Sequence, residues 1–259
     1  MTMLRTRVIP ALLLRNESLV KTVRFGKFTY VGDPANTVRI FNELEVDELL
    51  FLDITASREK RCPNLKVLAD IANECFMPLG YGGGIQSLDQ AGKVFAAGIE
   101  KVVINTAAVV RPKLIEEIAS VYGSQAVIVS IDVKKNLLSK KTVWTENGRK
   151  NTGLDPIKWV KEATSRGAGE ILLTSIDNEG TWRGFDYDLV RHAADAVDVP
   201  VVAHGGGGCL EDIKKVVWDC RASAVALGSL FVFQKKGCGV LVNYPEKETL
   251  TKLLIKTEN

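Results

Sequence analysis

The sequence predicts an α/β protein, a single (β/α)8 barrel of the TIM type over residues 1–259. Eight short apolar runs alternate with longer segments of helical period, the pattern of repeated strand–helix units. Several runs are continuous Val/Ile/Leu stretches without alternation, as expected of strands covered on both faces. The third observation is internal likeness. Gly82-Gly83-Gly84 returns as Gly205-Gly206-Gly207, and Asn105-Thr106-Ala107 as Gly228-Ser229-Leu230, both at a spacing of 123 residues. Solenoid repeats are far shorter, so this period marks two similar half-barrels.

The first strand is expected at 8–14. Pro34 suits the first turn of a helix over 35–44, where its missing N–H is not needed. A strand at 48–53 leads to a helix at 64–74, and a strand at 77–81 to a helix at 87–97 with Ser87 as its N-cap. The run 101–104 precedes a helix at 112–121, with Pro112 in its first turn. The second half opens with a strand at 126–132, a helix at 156–166 and a strand at 170–174. A helix at 186–196, a strand at 200–203, a helix at 210–219 and a strand at 222–227 complete the barrel, and a helix at 246–255 closes it. The stretch 142–152 breaks the rhythm. Its Asn147-Gly148, set between β-formers, signals a type I′ hairpin after the fifth strand, on the face where barrels carry their active sites.

With 46% apolar and 25% charged residues the chain can bury a large core. A net charge of +3 is too mild for a nucleic-acid footprint and compatible with an anionic small substrate. No apolar run approaches the roughly 18 residues of a membrane span, and the segment from Met1 to Arg7 runs directly into a strand. A cytoplasmic protein with no membrane partner is expected. The five cysteines (Cys62, Cys75, Cys209, Cys220, Cys238) show no Cys-x-x-Cys spacing, which suits buried thiols in a reducing compartment better than disulfides or zinc. No metal-ligand or nucleophile–His constellation stands out, so no metal or other cofactor is expected.

The chemistry-bearing signals lie at strand ends. Backbone N–H groups of glycine turns, with a following helix start, can cradle a phosphate. Gly83 and Gly84 with Asn105 and Thr106 would form one cradle, and Gly206 and Gly207 with Gly228 and Ser229 a second. Two cradles imply a bisphosphorylated ligand; the alternative is two tight turns that need positive φ. Asp132 ends the fifth strand, a catalytic position in this fold and a carboxylate able to act as general acid or base. Asp53 and Asp177 end other strands and would order loops, Asp177 also lying near the second cradle. Arg15, Lys21 and Arg24 would attract an anion or form a solvated loop. His204 stands beside the second glycine run, as a ligand contact or a structural residue. At the opposite end Arg7, Glu48, Lys101 and Glu170 each start a strand, and Arg7 shares parity with Ile9, Ala11 and Leu13. On spacing alone a solvated salt-bridge cluster at the rim is favoured there over a gate for a small polar molecule.

Nearly the whole chain resembles a known family. The segments that carry the likeness include Gly32-Asp-Pro34, 47–57 (DELLFLDITAS), Gly82-Gly-Gly-Ile85, Ile104-Asn-Thr-Ala-Ala108, Lys150-Asn-Thr-Gly153 and 167–177 (GAGEILLTSID). They are similar to the cyclase subunit of imidazole glycerol phosphate synthase. The resemblance implies a barrel that receives ammonia from a glutaminase subunit, of class I amidotransferase type, docked on its N-terminal face. The ammonia would cross the barrel and convert a bisphosphorylated formimino-ribulose substrate to imidazole glycerol phosphate and an aminoimidazole carboxamide nucleotide. Matched by position, the family's gate falls on Arg7, Glu48, Lys101 and Glu170. Its phosphate sites fall on Gly84, Asn105 and Thr106, and on Gly180, Gly206, Gly228 and Ser229. The resemblance thus favours the gate over the solvated rim.

One departure is chemical. The family pairs two aspartates as acid and base; the second matches Asp132, but the first falls on Leu13, which cannot move a proton. Glu17 would have to fold back to replace it. The Leu13-Leu-Arg-Asn16 start, Gly26 to Pro34 and Val38 to Glu43 resemble a subgroup associated with surface-polysaccharide clusters. There a third, sugar-amidating protein completes the pathway from an acetamido to an acetamidino sugar. That likeness implies an ammonia conduit for sugar amidination first, a histidine-pathway cyclase second and a non-catalytic adaptor third.

Overall fold

The computed structural model describes residues 6–136 and 138–255; most of the initial segment, residues 1–5, lies outside them. In chain order the strands are β1 (Arg7–Arg15), β2 (Ser18–Thr22), β3 (Phe28–Gly32), β4 (Leu49–Asp53), β5 (Leu79–Gly82), β6 (Lys101–Ile104), β7 (Val127–Lys135), β8 (Lys141–Thr145), β9 (Lys150–Asn151), β10 (Glu170–Ser175), β11 (Val201–His204) and β12 (Ala224–Leu227). Eight of them pair in parallel in the order β1, β4, β5, β6, β7, β10, β11, β12, and β12 returns to β1. Closure leaves no open edge. This is the expected (β/α)8 barrel.

Capping chemistry sets where the helices start. Asp33 accepts from the Asn36 N–H at 2.9 Å and opens the helix Pro34–Glu43, with proline in the first turn. Ser87 accepts from the Gln90 N–H at 3.2 Å before Leu88–Ala96. Pro112 stands one place earlier than expected, ahead of the helix Lys113–Tyr122. The helices bury one stripe each against the outside of the barrel; Phe41 on Pro34–Glu43 and Leu68 and Ile71 on Leu65–Glu74 are almost fully enclosed. A second, smaller core fills the inside: Ile9, Ala11, Leu50, Val103, Ile128, Leu172, Val202, Ala224 and Ala226. Alternation along β1 therefore sends Arg7, Ile9, Ala11 and Leu13 to the interior.

Three details differ from the sequence reading. The first strand of each half continues into an antiparallel ribbon: β1 turns at Asn16 into β2 and β3, and β7 turns into β8 and β9. The hairpin expected over 142–152 is present as β8 and β9, but it ends in a four-residue loop, with Glu146, Asn147 and Gly148 all at positive φ, instead of a two-residue type I′ turn. The Glu146 N–H donates to Thr106 Oγ1 at 3.0 Å, which draws this loop over the barrel mouth. The halves also match one place differently. Gly83 and Gly84 share positive φ with Gly205 and Gly206, and strand register sets Gly82 level with Leu52 and His204 level with Thr174. His204 is thus the counterpart of Gly82. Of the cysteines, only Cys220 is fully buried, while Cys62 and Cys209 are exposed.

Candidate active site

A cavity of about 520 Å³ opens at the C-terminal end of the parallel strands, within the usual range for a small-molecule site. Leu13, Leu52, Gly82 and Val103 line it from one half, and Ser130, Asp132, Thr174 and His204 from the other. Gly83, Gly84, Asn105 and Thr106 lie in its wall beside Arg58, Lys60 and Arg111. Gly84 cannot be replaced without strain: its φ is +73° and a Cβ would sit 2.4 Å from the Arg61 carbonyl oxygen.

Asp132 is the most strongly tuned group in the cavity. Burial pushes its carboxyl up to about 7, against hydrogen bonds from Thr174, Ser130 and Asn105 that favour the anion, and the Glu179 charge adds to the rise. Asn105 Nδ2 donates to Asp132 Oδ2 at 2.7 Å. Asn105 Oδ1 is buried with no hydrogen-bond partner among the described residues. Thr174 Oγ1 lies 3.0 Å from His204 Nδ1. Burial lowers the His204 imidazole to about 4, with the Lys21 charge in the same direction and Glu179 opposing. A carboxylic acid with a value near neutrality can give or take a proton at working pH. Glu17, exposed at the β1–β2 turn, does not reach this cavity's lining.

The second cluster is tight. Gly180, Gly206, Gly207, Gly228 and Ser229 meet with Lys21, Glu179 and His204 around a space of only about 10 Å³, close to one water. Lys21 fills it. Its chain passes so near Gly228 that a Cβ there would lie 2.8 Å from Lys21 Cε, and its ammonium pairs with the buried Glu179 carboxylate. Glu179 also accepts from the Thr22 hydroxyl at 3.1 Å and the Phe25 N–H at 3.2 Å, so it holds the first ribbon down. Lys21 is therefore buried rather than part of a solvated loop. Arg15 stacks on Phe28, 3.7 Å from the ring centre. Asp177 lines neither space; its Oδ2 accepts from the Lys135 N–H at 2.9 Å and its carbonyl from Arg24 Nε at 3.0 Å. Asp53 orders its own loop through Thr55, Ala56 and Arg61.

At the other end four charges alternate around the barrel axis. Arg7 pairs with both Glu48 and Glu170. Lys101 Nζ lies 2.7 Å from Glu48 and 3.3 Å from Glu170. The glutamate side chains are 3% and 6% exposed, the Arg7 and Lys101 side chains 27% and 21%, so the ring plugs the barrel instead of lying solvated at its rim. Burial works against the Arg7 charge, but the hydrogen bond and field of Glu170, then those of Glu48, hold it above its usual range. Between this ring and the cavity the interior carries small and apolar side chains, Ala11, Ala224 and Ala226 among them.

Sequence reading missed Thr174, Ser130 and Glu179. Strand parity signals the first two, since Ser130 and Asp132 share a face, as do Leu172 and Thr174. Nothing local marks Glu179, whose partners come from β2 and the turn after it. Among the described residues no helix is long and apolar enough to cross a membrane.

The family described as "Histidine biosynthesis protein" matches the chain over residues 7–236. A Pseudomonas aeruginosa protein provisionally named imidazole glycerol phosphate synthase subunit hisF2 is 49% identical over 248 residues, covering 96% of this chain and 99% of its own. A Leptospira interrogans protein, provisionally named imidazole glycerol phosphate synthase subunit HisF, is 44% identical and covers 95% and 97%. The imidazole glycerol phosphate synthase subunit HisF of Streptococcus mutans is 41% identical over 229 residues, 88% of this chain and 91% of its own.

Proposed function

Because the chain belongs to the histidine biosynthesis protein family, we propose that it is the cyclase-type subunit of a glutamine-dependent imidazole glycerol phosphate synthase. A glutaminase subunit docks at the N-terminal face and delivers ammonia. The reaction at the opposite face converts a bisphosphorylated formimino-ribulose carboxamide substrate to imidazole glycerol phosphate and an aminoimidazole carboxamide nucleotide. The observation that carries this reading is the axial arrangement: a closed ring of Arg7, Glu48, Lys101 and Glu170, an apolar interior, and a cavity with Asp132 at the far end.

In this reading Asp132 transfers protons during ring closure. Gly83, Gly84, Asn105 and Thr106 receive one phosphate, with Asn105 Oδ1 left to accept from the ligand. Gly180, Gly206, Gly207, Gly228 and Ser229 receive the other. Asp177 supports the second site from outside through its loop. Lys21 supplies a cation there, with Glu179 as its counter-charge until an anion arrives.

Leu13 favours a second reading. With an apolar residue opposite Asp132, the barrel passes ammonia to a third protein that amidinates an acetamido sugar in surface-polysaccharide synthesis. One experiment separates the two. The chain is co-purified with a class I glutaminase subunit and supplied with the formimino-ribulose substrate and either glutamine or ammonium salt. Cyclisation with both nitrogen sources is expected, and Lys101→Met should suppress only the glutamine-driven reaction. No cyclisation from either source, together with failure to support growth of a histidine auxotroph lacking its cyclase, would overturn the first reading in favour of the second. Glutamine-derived ammonia that reaches no acceptor, in a complex indifferent to Lys101→Met, would leave only an adaptor.

A further inference from the structure

At the level of Asp132 the barrel mouth has two unlike walls. Across β1, β4 and β5 the register row is Leu13, Leu52, Gly82; across β7, β10 and β11 it is Asp132, Thr174, His204. All six residues line the cavity. The first row offers no acid or base. Asp53, one step beyond it, has its carboxylate committed to Arg61, Thr55 and Ala56. Proton transfer at this level has to be handled from one side.

The hydrogen bonds on that side have a direction. Thr174 owns a single O–H and stands between Asp132 and His204 in the register row, where its hydroxyl favours the Asp132 anion. With the hydroxyl proton turned toward the Asp132 anion, the 3.0 Å contact between Thr174 Oγ1 and His204 Nδ1 is Nδ1–H donating to Oγ1. That assignment leaves the lone pair on Nε2. We propose that Asp132, Thr174 and His204 form one proton wire, with His204 Nε2 as the second proton-transfer group of the site, in the role that Leu13 cannot fill.

The step balances without any other reagent. Nε2 forms a bond to a substrate proton, whose former bonding pair stays on the substrate. The Nδ1 proton passes to Thr174 Oγ1, and the Thr174 proton passes to a carboxylate oxygen of Asp132. The imidazole ends neutral in its other tautomer and Asp132 ends as the neutral acid. The charged groups facing His204 are Lys21 from β2 and Glu179 from the loop after β10; Ala226, its partner on β12, carries no charge. Lys21 and burial disfavour an imidazolium, so the ring relays a proton and does not store one.

The catalytic role rests on the cyclase reading above, whereas the wire itself does not, and the test has two arms. In the first, the full chain is labelled with ¹⁵N in His192 and His204 and titrated by NMR without substrate. His204 is expected as the Nδ1–H tautomer, with ring shifts that follow the Asp132 titration near neutrality. Thr174→Val should abolish that response and Thr174→Ser should keep it. An Nε2–H tautomer, or the same response in Thr174→Val as in the unaltered chain, would overturn the wire. In the second arm, ammonium-driven turnover is measured. His204→Asn and Thr174→Val should each lower kcat by about 100-fold with little change in KM, as loss of one general acid/base does, and Thr174→Ser should restore most of it. A kcat for His204→Asn equal to that of the unaltered chain would remove His204 from the chemistry. If the unaltered chain turns nothing over, the cyclase reading falls while the NMR arm still decides the wire.

Discussion

Replacing Asp132 by Asn should make the protein more stable as the pH rises. The Asp132 carboxyl stands at about 7 in the folded chain against an ordinary 3.8. A folded value above the unfolded one means that the native state holds this proton more tightly. The unaltered protein therefore loses stability from this group as pH climbs from about 4 to about 7, with the full penalty present above that. The whole displacement corresponds to about 4 kcal/mol, of which about 2–3 kcal/mol develops between pH 5 and pH 8. An amide has the shape of the carboxyl and no charge, so Asp132→Asn escapes this penalty. It also offers one acceptor oxygen where Asn105, Ser130 and Thr174 now use two, which lowers the variant by about 1 kcal/mol at every pH. His204 changes in the opposite sense at lower pH but is common to both proteins. Urea unfolding at pH 5 and pH 8 measures the difference. The variant's relative stability should grow by about 2–3 kcal/mol between the two, and a difference that stays constant with pH would refute the assignment of Asp132 as a buried, high-value acid.

Other consequences are open to the same kind of measurement. Lys21→Met strands the buried Glu179 carboxylate and should cost about 3–5 kcal/mol in denaturant unfolding; a second change, Glu179→Met, should recover most of it, and independent effects would show that the pair is not coupled. Glu170→Gln leaves Arg7 and Lys101 facing one remaining anion and should lower stability by about 3 kcal/mol, with the loss shrinking when Arg7 is neutralised as well. Gly206→Ala forces a Cβ within 2.2 Å of the Gly184 carbonyl oxygen at a φ of +109°. A loss of about 2–3 kcal/mol together with weaker inorganic phosphate binding is expected, and unchanged thermal unfolding would contradict the packing.

The barrel was legible because its strands are buried on both faces, so that several of them read as unbroken apolar runs. The first ribbon was not, although Asn147-Gly148 announced the hairpin of the second. Phe28, Thr29 and Tyr30 on β3 are exposed and carry no alternating pattern, and the turn at Asn16 lacks the glycine that usually announces a hairpin. Parity placed Arg7 on the same side as Leu13, yet spacing alone could not tell a solvated ring from a plug, because burial depends on how closely strands from four parts of the chain converge. The glycine runs were aligned by identity, three against three. Backbone angle and strand register instead pair Gly82 with His204, since Gly82 is still inside its strand. The filling of the second cradle by Lys21 was hidden for a related reason: it depends on a ribbon folding back across some 160 residues to meet Glu179.

The two half-barrels share a backbone plan but not a distribution of polarity. One rim opens beside Arg58, Lys60 and Arg111; the other is sealed by a lysine already engaged with a carboxylate. A molecule bearing a phosphate at each extremity would meet a host that is nearly twofold in outline and handed in charge. Its two ends are therefore not interchangeable, and whichever atoms it presents to the Asp132 wall are selected by the direction in which it lies down.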